Sequence, residues 1–329
     1  MSRWLITGGT GSLGQALTRR ILDTHAADVV VIYSRDEHKQ ERMAQTFGDD
    51  GLRPDSRLRF KLGDVRNLRQ LTLESRGCDV IVHAAALKIV PALEYNPFEA
   101  VQTNVLGAQH VIEAAVANQV ARVLALSTDK ACQPVNLYGA TKLVAEKLLQ
   151  AADAEVGPGR PTRFAVLRYG NVTGSNGSVV PRWRAQLARG ERLTITEPNA
   201  TRFWLTLDAA AALVLDALEA MAGGEVFIPK LPAYTVGDLA AAVLGEDMPR
   251  GDVATVGLRP GEKPHEWLIG ADEERQAADL GRWYVLRAGR QPRTPVFLGS
   301  PILHYASNDP GVRQLDAAAL RARLADLGL

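Results

Sequence analysis

Cysteine is scarce in this chain. Cys78 and Cys132 are the two in 329 residues, far short of a disulfide framework, so a reducing compartment is the default. Net charge is nearly absent too: Lys+Arg 38 against Asp+Glu 37 gives +1 at pH 7, which argues against a general nucleic-acid or membrane-surface role. No apolar run approaches the ~20 residues that span a bilayer. Met1-Ser2-Arg3 leads straight into the strand-like Trp4-Leu5-Ile6, so no signal peptide is expected and the expected location is the cytoplasm. Neither an internal repeat nor a low-complexity segment is visible, and no metal site is expected. What remains is ordinary globular hydrophobicity, 46%, in a length that suits one large α/β domain or two smaller ones.

The first strand-like run, Trp4 to Thr7, meets Gly8-Gly9-Thr10-Gly11-Ser12-Leu13-Gly14, and Gln15 to Leu22 continues as an amphipathic helix. Glycines at 8, 11 and 14 let a pyrophosphate approach the backbone, and the helix N-terminus offers free N–H groups. Alone the pattern is weak; its place between first strand and first helix strengthens it. Thr10, Ser12 and Leu13 belong to the same cofactor turn.

Val29 to Tyr33 forms the next strand and ends in Ser34-Arg35-Asp36, about 20 residues past the glycines, where the adenosine ribose is read. A guanidinium suits a 2′-phosphate, and Lys39 adds charge from the next turn, so NADP is expected over NAD. Asp36 is a contrary signal with a local use as N-cap of the following helix. Leu58 to Leu62 is the third strand, followed by Asp64 and Val65. Asp64 either accepts from an adenine amino group or caps the next helix. Val80 to His83 is the fourth, and His83 reads as a packed strand residue. Ala84, Ala85 and Ala86 leave room at its tip for something flat, with Lys88 near the mouth. Pro97 to Ala117 is a long helix, and Arg122 to Ser127 the fifth strand.

The stretch Ser127 to Lys142 runs off that strand, through a loop stiffened by Pro134, into a helix. Tyr138 and Lys142, four apart, share a helix face. An ammonium beside a phenol would lower its pKa toward use as a base. Asp129 and Lys130 add a second acid and base. Such a Tyr–Lys spacing also arises by chance on a solvated face, and Asp129-Lys130 could be an exposed ion pair worth roughly 0–1 kcal/mol. The alternation of strands and helices decides between them: it predicts a doubly wound parallel sheet whose crevice lies beyond the carboxyl ends of the strands. Asp129, Lys130, Tyr138, Lys88 and Arg35 all fall at that edge.

These residues make the chain resemble an extended short-chain dehydrogenase/reductase, and more narrowly the soluble inverting UDP-N-acetylglucosamine 4,6-dehydratases of the polysaccharide-biosynthesis group. The carrying stretches are the glycine turn, Tyr33 to Glu37, Gly63 to Arg66, Ala84 to Lys88, Glu94 to Pro97 and Ser127 to Lys142. They continue through Arg168 to Val172, Gly177 to Pro181, Thr201 to Trp204, Arg259 to Lys263 and Tyr305 to Asn308. Cys132, Gln133 and Pro264 depart from the pattern and put substrate preference in question.

The resemblance implies a Rossmann-type NADP-binding domain over 1–170 and a smaller substrate-binding lobe over 171–329, partly interleaved with it. Arg163 to Tyr169 would be the last sheet strand, Asn171 to Ser178 a loop, and Leu207 to Met221 a helix. Arg202 and Arg259 are candidates for a nucleotide diphosphate, or else surface arginines. Lys88, Asn171, Ser178, Val179 and Glu262 complete the implied substrate set. The implied chemistry gives Tyr138, activated by Lys142, the 4-hydroxyl proton of the sugar; Lys130 the proton on carbon 5; and Asp129 the departing 6-hydroxyl, with Thr128 beside them. A tightly held NADP is regenerated each cycle. The rival readings are a UDP-sugar 4-epimerase, which needs no elimination, and a non-catalytic NADP-binding sensor. A homo-oligomer is expected, with the Pro97–Ala117 and Tyr138–Ala151 helices forming a four-helix interface.

Overall fold

A computed structural model describes residues 1–48, 55–157, 159–175, 177–245, 253–287 and 304–329. Six strands, β1 (Arg3–Thr7), β2 (Val29–Ser34), β3 (Leu58–Leu62), β4 (Val80–His83), β5 (Arg122–Thr128) and β6 (Arg163–Tyr169), pair in parallel in the order β3-β2-β1-β4-β5-β6. Fully buried runs such as Leu5-Ile6 and Val30-Val31-Ile32 explain the pairing, since helices cover both faces. The order reverses between β1 and β4, and the crevice at that switch is where such sheets bind ligands.

Arg163–Tyr169, expected to be the last sheet strand, is not, because the second half of the chain returns to this sheet with apolar strands of its own. Glu225–Pro229 adds in parallel beside β6, and Trp283–Arg287 and Ala277–Asp279 close the edge antiparallel. It also builds a core of its own, in which Trp183, Ile195, Trp204, Tyr234 and Leu239 pack with Leu320 and Leu324 of the helix Ala317–Asp326. The helix expected over Leu207 to Met221 spans Leu207–Ala220. Asn176, in the loop expected over Asn171 to Ser178, lies outside the described residues.

The helix expected over Pro97 to Ala117 follows that path with a wide turn inside it. Pro97–Ala100 is α-helical, Val101–Leu106 is a π-helix, and Gly107–Ala117 is α-helical again. The wide turn surrounds buried Asn104. Its Oδ1 accepts from Leu87 N at 2.8 Å, and its Nδ2 donates to Leu87 O at 3.0 Å and Thr141 Oγ1 at 3.1 Å. Local widening of this kind is common where a helix serves a site. Here it clips the Ala84–Lys88 segment to the helix that carries Tyr138 and Lys142.

Candidate active site

A cavity of about 810 Å³ opens along the carboxyl ends of the strands. It gathers the glycine turn, the β2 tip, Asp64 and Val65, the Ala84–Ala86 segment with Lys88, and Thr128, Asp129, Lys130, Tyr138 and Lys142. Asn171, Ser178, Val179, Arg202, Arg259 and Glu262 line its other end.

At the first end, Gly8 has φ +67°, and a Cβ there would stand 2.8 Å from Ala85 Cα. Only glycine allows β1 to turn so close to the β4 tip. The helix Ser12–Thr24 begins at Gly11 with no side-chain cap and no acid in its first turn, leaving its positive end for an anion. Asp36 is spent locally: it caps the helix Glu37–Thr46 by accepting from Lys39 N at 3.0 Å and pairs with Lys39 Nζ at 3.1 Å. Asp64 does not cap the next helix, which Asn67 caps instead. Its carboxylate is paired to Arg66 at 2.7 Å and to half-exposed Arg35 at 3.5 Å. His83 is a packed strand residue, 2.8 Å from Thr7 Oγ1, with its pKa driven down to about 3 by burial and then by the Lys142 charge.

Two polar groups toward the tyrosine end of the cavity stand without a hydrogen-bond partner among the described residues. Ser127 Oγ is buried and unbonded, and buried Lys142 makes no hydrogen bond or ion pair. Burial brings the Lys142 amine down to about 8. A partnerless hydroxyl and amine beside an uncapped helix end fit a dinucleotide with ribose hydroxyls and a pyrophosphate.

The active loop is built by close backbone contact. β5 ends at Thr128, a short turn covers Asp129–Ala131, and the helix Leu137–Val156 starts under an Asn136 cap. A Cβ on Gly139 would stand 2.0 Å from Lys130 O. Glycine after Tyr138 is therefore what lets the helix start lie against the turn, bringing Tyr138 beside Thr128 and Asp129. The Thr128 hydroxyl donates to Asp129 Oδ1 at 2.9 Å and stands near enough to the Tyr138 phenol to favour its ionised form.

Electrostatics at this loop differ from the expectation in one respect. The Tyr138 phenol is pushed up to about 12 by burial, and the cation that offsets this is Lys130, with the Thr128 hydrogen bond helping. Lys142 was expected to lower it and is not among the groups that do. Lys130 Nζ sits 2.9 Å from Asp129 Oδ1 and 3.1 Å from Glu266 Oε1. Burial alone would depress the amine, yet the two carboxylates outweigh it and hold Lys130 well above the ordinary lysine range. Asp129 is driven up, by burial first and the Glu266 charge second. Its Oδ2 is buried without a partner, so a proton there has no acceptor within the protein.

At the far end Arg202 is buried and committed: Nη2 donates to Glu262 Oε1 at 2.9 Å, and Nη1 to the carbonyls of Thr201 and Pro264. Arg259 carries no salt bridge among the described residues, and it stands near enough to Arg182 that their like charges repel, with Glu262 offsetting part of that. Two guanidiniums that form no salt bridge with a described residue, at one mouth, suit an anion. The sequence reading missed Arg182, which looked like one more surface charge on an amphipathic helix. It missed Glu266 too, although that residue lies just past the Arg259–Lys263 run. The departures from the family pattern, Cys132, Gln133 and Pro264, do not line the cavity. Cys132 Sγ instead lies 3.6 Å from Glu273 Oε2.

A parallel sheet with a dinucleotide turn at β1 and a Tyr–Lys helix after β5 defines an extended short-chain dehydrogenase/reductase. The chain belongs to the family described as "Polysaccharide biosynthesis protein", whose profile matches residues 4–288. It is 44% identical over 283 residues to a "UDP-N-acetylglucosamine 4,6-dehydratase (inverting)" of Campylobacter jejuni, covering 86% of this chain and 81% of that one. It is 42% identical to a "UDP-glucose 4-epimerase" of Rickettsia canadensis, with 85% and 81% covered. Among solved structures, Pen from Bacillus thuringiensis is similar at TM-score 0.89 and 32% identity, with 99% and 98% covered. The dTDP-glucose 4,6-dehydratase DesIV from Streptomyces venezuelae, with NAD and TYD bound, follows at TM-score 0.70 and 25% identity, with 83% and 90% covered. No helix among the described residues is long and apolar enough to cross a membrane.

Proposed function

We propose that the protein is an NADP-dependent UDP-N-acetylglucosamine 4,6-dehydratase, a hydro-lyase that inverts carbon 5 to give the L-arabino 4-keto-6-deoxy sugar nucleotide. The observation that carries this reading is Asp129, a buried carboxyl with a partnerless oxygen, ion-paired to Lys130 and close enough to Tyr138 for their charges to interact. An epimerase must move a hydride and one hydroxyl proton and has no use for that second acid and base. A cofactor sensor needs neither.

When bound, the nicotinamide cofactor supplies hydride exchange with carbons 4 and 6 and a positive ring at the tyrosine end of the cavity. Gly8 to Gly14 would hold its pyrophosphate, Ser34 and Arg35 its ribose phosphate, and Lys142 with Ser127 its second ribose. Tyr138 takes the proton of the 4-hydroxyl, which the new ketone no longer needs. Lys130, having passed its own proton to Asp129 across their 2.9 Å pair, removes the proton on carbon 5, acidified by that ketone. Asp129 protonates the departing 6-hydroxyl, and water leaves. Tyr138 then returns its proton to carbon 5 from the opposite face. Each transfer is worth about 10²–10⁴-fold in rate. Arg182 and Arg259 would receive the diphosphate, with Arg202 held behind them by Glu262. The two halves act as cofactor and substrate lobes with a boundary near 170.

Incubation with UDP-N-acetylglucosamine tests the reading: mass spectrometry should show loss of one water. Product made in D₂O should carry one deuterium at carbon 5, with ring couplings of the L-arabino configuration. Epimerised sugar without water loss would overturn the dehydratase reading, and an initial D-xylo product would overturn the inversion alone.

A further inference from the structure

Glu266 is a buried charged group beside Lys130 that the mechanism above leaves unused. It is buried, its Oε1 lies 3.1 Å from Lys130 Nζ and 3.9 Å from Arg202 Nε, and its Oε2 has no partner. Its backbone is pinned from both sides, N–H to Ser307 Oγ at 3.0 Å and carbonyl from Ser307 N at 2.8 Å. Nothing about that arrangement is needed to hold the segment, because a neutral side chain would leave those backbone bonds intact.

The elimination has a consequence for the neighbouring pair. The C5–H bond breaks and an N–H bond forms on Lys130; its electrons become the C5–C6 double bond as the C6–O bond breaks. The Asp129 proton leaves in the water. Lys130 therefore ends as ammonium and Asp129 as carboxylate, which is the charge state of an ion pair at 2.9 Å. One proton passing from Nζ to Oδ1 restores the neutral amine and the carboxylic acid together, with no outside donor. The pair is active when it holds one proton between its two members.

We propose that Glu266 is a positioning residue that anchors Lys130 between two carboxylates and governs its proton exchange with Asp129. This rests on the dehydratase reading for its purpose, though not for its test. The charges facing Glu266 are Asp129 and Lys130 of the active loop, Arg202, and Lys263 of its own segment; the buried Tyr234 and Tyr138 hydroxyls face the same pair. A carboxylate beside both members favours the proton-bound form of each. It therefore moves the one-proton window of the pair to higher pH as a unit.

Glu266→Gln keeps the shape and removes the charge. Lysine Cε and Nζ NMR, with the Lys130 signal assigned by its loss in Lys130→Arg, reads the effect without substrate. In Glu266→Gln the Lys130 titration should fall by about 1–3 units, and in Glu266→Asp it should stay with the wild type. In turnover, both limbs of the pH profile of kcat should move down together in Glu266→Gln. An unchanged Lys130 titration, or a lower plateau with unmoved limbs, would make Glu266 a structural residue and overturn the proposal. Failure of the wild type to dehydrate UDP-N-acetylglucosamine would sink the functional reading and leave the Lys130 titration to judge this one.

Discussion

Arg168 grips Glu273 at two points, Nη1 to Oε2 at 2.7 Å and Nη2 to Oε1 at 2.8 Å, with none of the guanidinium exposed. Its Nε and Nη2 also reach Glu146 of the Tyr138 helix. One arginine on β6 thus ties the catalytic helix to a segment from the end of the chain. Glu273 in turn meets Cys132 of the active loop. Lys263 donates to the Cys132 carbonyl, and Asn136 Nδ2 to Gly261 O at 2.8 Å. The segment from Arg259 to Glu273 is a brace laid across the loop that holds Asp129 and Lys130.

That brace predicts a stability loss with a defined pH dependence. Burial opposes ionisation of Glu273, but its Arg168 hydrogen bonds and charge outweigh burial and hold the carboxyl below the ordinary glutamate range. A depressed carboxyl stabilises the fold above its unfolded pKa and loses that contribution as pH falls through its folded one. Glu273→Gln should cost about 3 kcal/mol at pH 7, the low end for a broken buried pair because Glu146 remains. Urea unfolding should show that difference shrinking as the pH drops below about 4. A constant gap between variant and wild type would disprove the charge account.

Asp129→Asn should uncouple the two halves of the reaction. Oxidation at carbon 4 continues, so absorbance of reduced cofactor should rise and persist, while dehydrated product falls about 10²–10⁴-fold. Stopped-flow absorbance paired with quenched product analysis reads both. Equal loss of the two would make Asp129 a substrate-positioning residue.

NADP should bind more tightly than NAD, because Asp36 is consumed as a helix cap while Arg35 remains half-exposed at the cavity. Arg35→Ala should narrow the gap about tenfold. Calorimetric titration of both cofactors into both proteins decides it, and equal wild-type affinities would refute the preference.

The helices before and after β5 leave apolar side chains in solvent, among them Phe98 at 83% and Val144 at 45% exposed. Burying each would contribute about 1.5–3 kcal/mol, and a second copy presenting the same two helices is the expected cover. Phe98→Asp with Val144→Asp should shift the particle from dimer or larger to monomer in light scattering at micromolar concentration. Monomeric wild type would contradict it.

Much of this protein is decided locally, and that part was legible without coordinates. Most of the central strands are short apolar runs, and the glycine turn acts through neighbours within one turn. Strand ends collect at one edge in any doubly wound sheet, so Arg35, Lys88 and Asp129 could be placed there from their order alone. The state of the site was decided elsewhere. Lys130 reads as the partner of Asp129 alone until Glu266 is brought against it. Arg202 reads as a phosphate ligand until Glu262 and two carbonyls claim its donors. Arg168 and Glu273, 105 residues apart, carry no pattern that announces a pair. Local spacing determines which atoms can share a helix face or a strand tip. Which charges meet in a buried, low-dielectric interior depends on how distant segments pack, and there one added carboxylate changes the proton affinity of everything it touches.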